Sequence, residues 1–218
     1  MLRLPEVEMK TLRRFLRRFR LRILALAGVM TLCVSPVITA DTTDTLVPVH
    51  LAIARRYAGQ VREVGGNNRG PEINQWLRAV GVSPGQPWCG AFVAAMLRAA
   101  EQQTGATISP PVRSALARSY IGRRSVIEAT EVRRGTRAAP IGASPVWQRG
   151  ATRKGHIGFT NASWRGPTGI TIEGNTSSGT RGSQADGDNV YCRHRLIDFG
   201  YFRLRWFVCY RYLYPPRQ

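Results

Sequence analysis

The spacing of hydrophobic positions changes about halfway along the chain. Before Ser109-Pro110-Pro111, apolar residues recur every three or four positions, which is typical of helices that bury one face. This spacing predicts helices over 46–62, 72–80 and 88–102, and a fourth helix is predicted over 112–120, after the two prolines. After residue 124, apolar and polar residues alternate between Gly, Pro, Asn and Asp turns, which predicts strands over 125–132, 145–148, 155–163, 169–174, 189–195 and 204–210. Helices followed by strands predict an α+β fold, with helices packed on an antiparallel sheet.

Residues 1–40 have the pattern of a secretory signal peptide. A basic stretch from Lys10 to Arg22 precedes an apolar run over 23–40, and polar Asp41 follows. This order of basic, apolar and small residues is typical of a cleaved leader. The alternative is an uncleaved membrane anchor, although Pro36 interrupts a run that is already short for a span of about 20 residues. Residues 41–218 contain no repeat or interior linker, so we predict one domain there.

The chain is strongly basic, with 32 Lys and Arg against 13 Asp and Glu and a formal net charge of +19. Such a charge attracts anionic polymers over long distances. Zinc-finger spacing, RNP-like motifs and basic runs with interleaved aromatics are all missing, which argues against nucleic acid as the partner. For an exported protein, we therefore expect the anionic polymers of the cell envelope as partners.

Three cysteines remain after residue 40: Cys89, Cys192 and Cys209. In an oxidising compartment, an odd number of cysteines indicates a free thiol. Cys192 and Cys209 lie in strand-like runs, and a disulfide between them would leave Cys89 unpaired. Three reduced thiols are the alternative.

Cys89 lies where the third predicted helix begins. The helix dipole and the free N–H groups at that end favour a thiolate and offer donors to an oxyanion. Gly90 has no side chain, so we expect backbone N–H groups to reach a substrate carbonyl there. Trp88 is expected to form one wall of a substrate groove. The alternative is that Cys89 is a buried structural cysteine on the apolar stripe of the helix.

His156 and two polar residues downstream complete a candidate catalytic set. A thiol becomes an effective nucleophile when an imidazole accepts its proton and a third group orients that imidazole. If Trp164 pairs with Gly169 in a hairpin, Asn175 lies diagonal to His156 and orients it. A shift of two residues in this register brings Glu173 there instead, so both residues remain candidates.

These motifs together resemble the CHAP-type cysteine peptidoglycan hydrolases, which are related to the NlpC/P60 class. The resemblance covers 53–210 and rests on three runs in order. These are Gln86-Pro87-Trp88-Cys89-Gly90-Ala91-Phe92-Val93, Gly155-His156-Ile157-Gly158-Phe159 and Glu173-Gly174-Asn175. It implies a papain-like catalytic domain over 41–218, with Cys89, His156 and either Glu173 or Asn175 as catalytic residues. Gln86 and Trp88 are the expected substrate-binding residues, and no metal or organic cofactor is expected.

The resemblance implies hydrolysis of peptidoglycan amide bonds, either within the peptide or between peptide and glycan. Two alternatives stay open at this point. One is a transglutaminase-like or protein-cleaving enzyme of the same fold. The other is a basic envelope-binding protein without catalysis. We expect location in the periplasm or outside the cell, or attachment to the inner membrane if the leader is not cleaved.

Overall fold

The computed structural model of this protein describes residues 46–121, 125–178 and 187–216. The leader predicted over 1–40, including Cys33, lies outside these residues. Within the described part of the chain, no helix is both long enough and apolar enough to span a membrane.

Three helices form the first half of the fold. They are α1 (Val49–Tyr57), α2 (Pro71–Ala79) and α3 (Cys89–Thr104). Pro71 at the first position of α2 has a backbone already suited to a helix start, and Gly105 ends α3 in the left-handed conformation. The longest described helix, α3, packs against α1 and α2 and also against strands of the second half. Its fully buried Phe92 and Leu97 belong to the main core.

Ten short strands follow, and all described pairs are antiparallel. They are β1 (Thr107–Ser109), β2 (Val126–Glu128), β3 (Ser144–Arg149), β4 (Gly155–Ile157), β5 (Phe159–Thr160), β6 (Thr168–Thr176), β7 (Asn189–Leu196), β8 (Asp198–Phe199), β9 (Phe202–Val208) and β10 (Arg211–Leu213). Strands β2-β9-β3-β4 form one sheet, with β8 also paired to β9. Strands β5-β6-β7 form a second sheet, and β1 pairs with β10. The mixed helical and antiparallel architecture confirms the predicted α+β class.

Several predicted elements are wrong in part. The predicted strand over 155–163 divides into β4 and β5, which belong to different sheets, and the predicted helix over 46–62 is shorter, as α1. The predicted helix over 112–120 is only a 3-10 turn, Ala117–Tyr120. The predicted strand over 125–132 stops at Glu128, and a short helix, α4 (Ala129–Arg133), takes its place. The side chains of Glu128 and Glu131 form a capping box at its start, which stabilises a helix where alternation alone favoured a strand.

The hairpin after His156 has a different register from the predicted one. Thr160 pairs with Thr171, and the peptide N–H of Asn161 donates to the carbonyl of Ile170. Trp164 bridges to Ala139 instead of pairing with Gly169. A side chain at Gly169 would overlap the Trp164 ring, at 2.1 Å from its nearest atom. The register is therefore shifted by two residues, and the shift brings Glu173 rather than Asn175 diagonal to His156.

Candidate active site

Cys89 is the first residue of α3 and lines a groove of about 410 Å³. Its side chain is almost buried, with 4% of its surface exposed, so the groove is its access to solvent. The first N–H groups of a helix have no partner within the helix, and the helix dipole is positive at that end. The thiol therefore lies where a negative charge on sulfur, or on a substrate oxygen beside it, is stabilised.

Gly90 has a different role from the predicted one. A Cβ at this position would lie 2.3 Å from the carbonyl oxygen of Ala115, so the space is filled by backbone and not by substrate. The Tyr120 hydroxyl donates to the Gly90 carbonyl at 3.3 Å and fastens the same segment. Gly90 thus allows Ala115 and Leu116 to approach the start of α3, where both residues form part of the groove wall.

Trp88 lies in the core and not in the groove wall, which corrects the prediction for this residue. Its ring is fully buried beside Trp76, and its indole N–H donates to Glu63 Oε1 at 3.0 Å. A large apolar ring with its one donor satisfied is stable in such a position. Gln86 does line the groove, as predicted for a substrate-binding residue.

His156 lies on β4 directly opposite Trp147 of β3. Its imidazole is fully buried among aromatic rings, with ring centroids 5.9 Å from Trp147 and 6.3 Å from Phe199. Nε2 donates a hydrogen bond to Glu173 Oε2 at 2.8 Å. Nδ1 is buried and has no hydrogen-bond partner among the residues that the structure describes. The aromatic contacts and Glu173 fix the ring, and Nδ1 is left for the thiol.

Glu173 is buried and accepts hydrogen bonds from three other residues of the site. Its Oε1 accepts hydrogen bonds from Thr171 Oγ1 at 2.6 Å and from Arg195 Nε at 2.7 Å. Its Oε2 accepts from His156 Nε2 and from the terminal guanidinium nitrogen of Arg195. A Cβ at Gly158 would lie 2.6 Å from Glu173 Cγ, so this glycine leaves the space that the carboxylate side chain occupies.

Burial, the largest influence on the pKa of His156, lowers it. The Glu173 carboxylate and the nearby Cys89 side chain more than offset burial and raise the pKa of His156 to about 9. The Cys89 side chain is therefore close enough to the imidazole to raise its pKa. For Glu173, burial raises the pKa, but the Arg195 and His156 charges and hydrogen bonds hold it well below its usual range. The histidine is therefore protonated and the carboxylate ionised at neutral pH.

The same shifts predict how stability depends on pH. The contribution of His156 is complete below its unfolded pKa of 6.5 and is lost as the pH rises through about 9. The contribution of Glu173 is complete above its unfolded pKa of 4.5 and is lost at lower pH. The free energy of unfolding can be measured with urea at about pH 6 and at about pH 9.5. Between these two pH values, the wild type should lose more of its unfolding free energy than the His156→Gln variant loses. An equal loss in both proteins would contradict the raised pKa of His156.

Arg195 is a component of the site that the sequence prediction missed. It lies on β7, is 4% exposed, and holds both carboxylate oxygens of Glu173. Its guanidinium also lies over the Phe199 ring, 4.3 Å from the centroid. One signal in the sequence could have indicated this ion pair. Glu173 and Arg195 both occupy inward-facing positions of neighbouring predicted strands, 169–174 and 189–195. Arg195 keeps Glu173 ionised and in a single orientation.

Replacing Arg195 by methionine should lower kcat/KM by about 10- to 100-fold, because a displaced Glu173 no longer aligns the imidazole. It should also move the acid limb of the pH–rate profile to higher pH, since the cation that lowers the pKa of Glu173 is lost. Arg195→Lys keeps the charge but not the paired hydrogen bonds and should be intermediate. A loss of stability in Arg195→Met with an unmoved acid limb would mean that Arg195 is structural only.

Asn175 lies two residues beyond Glu173 and is also fully buried. It has a left-handed backbone, with φ of 60°, in a bulge where the β6–β7 register shifts. Its carbonyl accepts the Gly187 N–H at 3.0 Å. In the structure, Glu173 therefore contacts the His156 ring. Asn175 forms the bulge at which the regular pairing of β6 with β7 is interrupted.

Glu173→Gln should therefore lower turnover about 10²–10⁴-fold, because an amide does not stabilise the imidazolium by charge. Asn175→Gly keeps the left-handed backbone that the bulge requires and should stay near the wild-type rate. Steady-state kinetics of both variants decide between the two residues. A large loss in Asn175→Gly with little loss in Glu173→Gln would reverse the assignment.

Cys192 and Cys209 are free thiols in the structure, as is Cys89. Cys192 belongs to β7. Cys209 follows β9, which is in the other sheet, and packs against the smaller hydrophobic cluster, which contains Leu204 and Phe207. The disulfide between them remains a prediction. Among the described residues, no group of three or more His, Cys, Asp or Glu side chains is arranged to hold a metal ion.

Comparisons of the chain with protein-family models, with curated proteins and with solved structures find no match. The functional assignment therefore rests on the geometry of the site and on the motif resemblance.

Proposed function

We propose that this protein is an exported cysteine hydrolase of the CHAP type, with a papain-like fold related to NlpC/P60, that cleaves amide bonds of peptidoglycan. One observation supports the proposal most strongly. His156 is buried, hydrogen-bonded to an ionised Glu173, and close to Cys89. Cys89 is the first residue of a long helix and lines a groove. This is the arrangement that activates a thiol for attack on a carbonyl.

The reaction proceeds through an acyl-enzyme. Cys89 Sγ attacks the amide carbonyl, and the resulting oxyanion is held by the Cys89 backbone N–H and a neighbouring donor of the groove. The His156 imidazolium gives its proton to the departing amine, which leaves a thioester on Cys89. A water molecule then attacks the thioester while the now neutral His156 imidazole accepts its proton. Collapse of the tetrahedral intermediate releases the carboxylic acid and restores the Cys89 thiolate beside the His156 imidazolium. Glu173 stabilises the imidazole whenever it carries the positive charge.

The basic surface fits an enzyme that works on the cell envelope. Residues 41–218 keep 24 Lys and Arg against 11 Asp and Glu, and this net charge of +13 attracts anionic envelope polymers and concentrates the enzyme on its substrate. Export through the leader at 1–40 brings the enzyme to the periplasm or outside the cell. If that leader is retained, the enzyme acts from the inner membrane.

Mass spectrometry of fragments released from purified sacculi in ¹⁸O-labelled water tests the proposal. Amide hydrolysis should put a single ¹⁸O on each new carboxylate, and the fragment masses identify the cleaved bond. Release of fragments by cleavage of glycosidic bonds alone, with every amide bond intact, would contradict an amide-cleaving enzyme.

The two alternatives predict different results with sacculi, and each has a further test of its own. A transglutaminase-like or protein-cleaving enzyme should leave sacculi intact and act on protein substrates. A non-catalytic envelope-binding protein should bind sacculi without releasing fragments, and its Cys89 should resist alkylation as a buried structural thiol does.

A further inference from the structure

The turn that joins β3 to β4 brings three cationic side chains to the groove that contains Cys89. Arg149, Arg153 and Lys154 all line this groove. Most of the remaining lining, including Val82, Leu116 and Phe202, is apolar, and none of the described residues that line the groove is acidic. The groove therefore combines positive charge from the turn with apolar surface.

The backbone of the turn is held in place, so the three cationic side chains start from defined positions beside the groove. The Arg149 N–H donates to the Lys154 carbonyl at 3.0 Å, and Thr152 Oγ1 donates to the Arg149 carbonyl at 2.6 Å. Arg118 reaches across from the 3-10 turn and donates to the Thr152 carbonyl at 3.0 Å. His156 follows two residues after Lys154, on the strand that this turn begins.

Among the described residues, no carboxylate forms an ion pair with any of these three cations. Every carboxylate that forms an ion pair in the described part of the chain does so with another residue, namely Arg113, Arg133, Arg137, His156 or Arg195. Arg149 instead contacts the Tyr201 ring, 5.7 Å from its centroid. Clustered cations in a partly apolar groove, without an ion-pair partner in the part of the chain that the structure describes, focus a positive potential on a ligand that enters.

We propose that this turn is a subsite for a carboxylate of the substrate, next to the amide that Cys89 attacks. The inference rests on the proposed function and narrows its substrate class: the preferred peptide carries a free carboxylate near the scissile bond rather than a carboxamide. Lys and Arg side chains bind carboxylates through charge-assisted hydrogen bonds, and such contacts orient the substrate as well as hold it.

The charge of the groove can be measured without any turnover. Iodoacetate and iodoacetamide alkylate thiols with the same chemistry and nearly the same size, but only iodoacetate is anionic. The ratio of their rate constants at Cys89, followed by mass spectrometry of the Cys89 peptide, reports the local potential and cancels differences in thiol reactivity. Because only this peptide is followed, alkylation of the exposed Cys192 does not interfere.

In the variant Arg149→Gln/Arg153→Gln/Lys154→Gln, the iodoacetate to iodoacetamide ratio should fall about three- to tenfold at low salt, and less at high salt, where charges are screened. Arg56→Gln is the matched control, because Arg56 is an exposed cation of α1 outside the groove lining. It should leave the ratio near the wild-type value. An unchanged ratio in the triple variant, or an equal fall in Arg56→Gln, would overturn the subsite.

A second measurement tests the substrate class. The triple variant should raise KM for a peptide with a free carboxylate beside the cleaved amide about tenfold, and change little for the matched carboxamide. Equal effects on both peptides would overturn the proposal. If the alkylation ratio falls as expected but neither sacculi nor peptides are cleaved, the anionic subsite stands and the proposed peptidoglycan activity fails.

Discussion

Replacing Cys89 by alanine is expected to abolish hydrolysis of sacculi, with a loss on the order of 10⁴-fold or more in kcat/KM, because no other group can form the acyl-enzyme. The side chain is small and almost buried, so the cost to stability should be only about 1 kcal/mol. Cys89→Ser should be nearly as inactive, since a hydroxyl is a far weaker nucleophile beside the same imidazole.

The control for this prediction is Cys192→Ala, which removes an exposed thiol. Its rate should equal that of the wild type. Circular dichroism and urea unfolding establish that each variant is folded. Substantial activity in a folded Cys89→Ala protein would rule out the cysteine-hydrolase mechanism.

Replacing His156 by alanine should lower kcat/KM about 10²–10⁴-fold, the usual effect of losing a general base. The loss is expected because the imidazole both activates the Cys89 thiol and protonates the departing amine. It should also slow alkylation of Cys89 near neutral pH, since the cation that stabilises the thiolate is gone. Kinetics and alkylation rates measured on the same preparation connect the two effects.

The other two histidines provide different comparisons. His194 is exposed on β7, and His194→Ala should leave activity unchanged. His50 is buried and hydrogen-bonded to the Tyr212 hydroxyl and to the Gly142 carbonyl, both at 2.8 Å. Burial lowers its pKa to about 4, so it is neutral at the working pH, and His50→Ala should reduce stability rather than the chemical step. A larger catalytic loss at either residue than at His156 would show that the base is assigned wrongly.

Local signals were sufficient to place the nucleophile. The apolar spacing after Pro87 defines α3, and α3 begins at Cys89 as predicted. The helices α1 and α2 were predicted in the same way, although α1 is shorter than the spacing indicated. These elements depend on residues close together in sequence, which is why a pattern of three and four residues finds them.

The partner of His156 could not be fixed from the sequence, because strand register depends on contacts between distant segments. Trp164 pairs with Ala139, far back in the chain, and this contact sets the two-residue shift that selects Glu173. The burial of Trp88 and the filling of the space beside Gly90 likewise depend on Trp76 and Ala115, which no local pattern brings near. Arg195 was missed for the same reason.

The account depends most directly on a covalent intermediate at Cys89. Rapid acid quenching of the enzyme with excess soluble peptidoglycan fragments, followed by mass spectrometry of the digested protein, detects it. We expect the Cys89 peptide to carry the mass of the acyl fragment as a thioester that hydroxylamine removes, with no adduct on Cys192 or Cys209. The account would be contradicted if amide-cleavage products were released while the Cys89 peptide stayed unmodified at every quench time, and if Cys89→Ala released the same products at the wild-type rate.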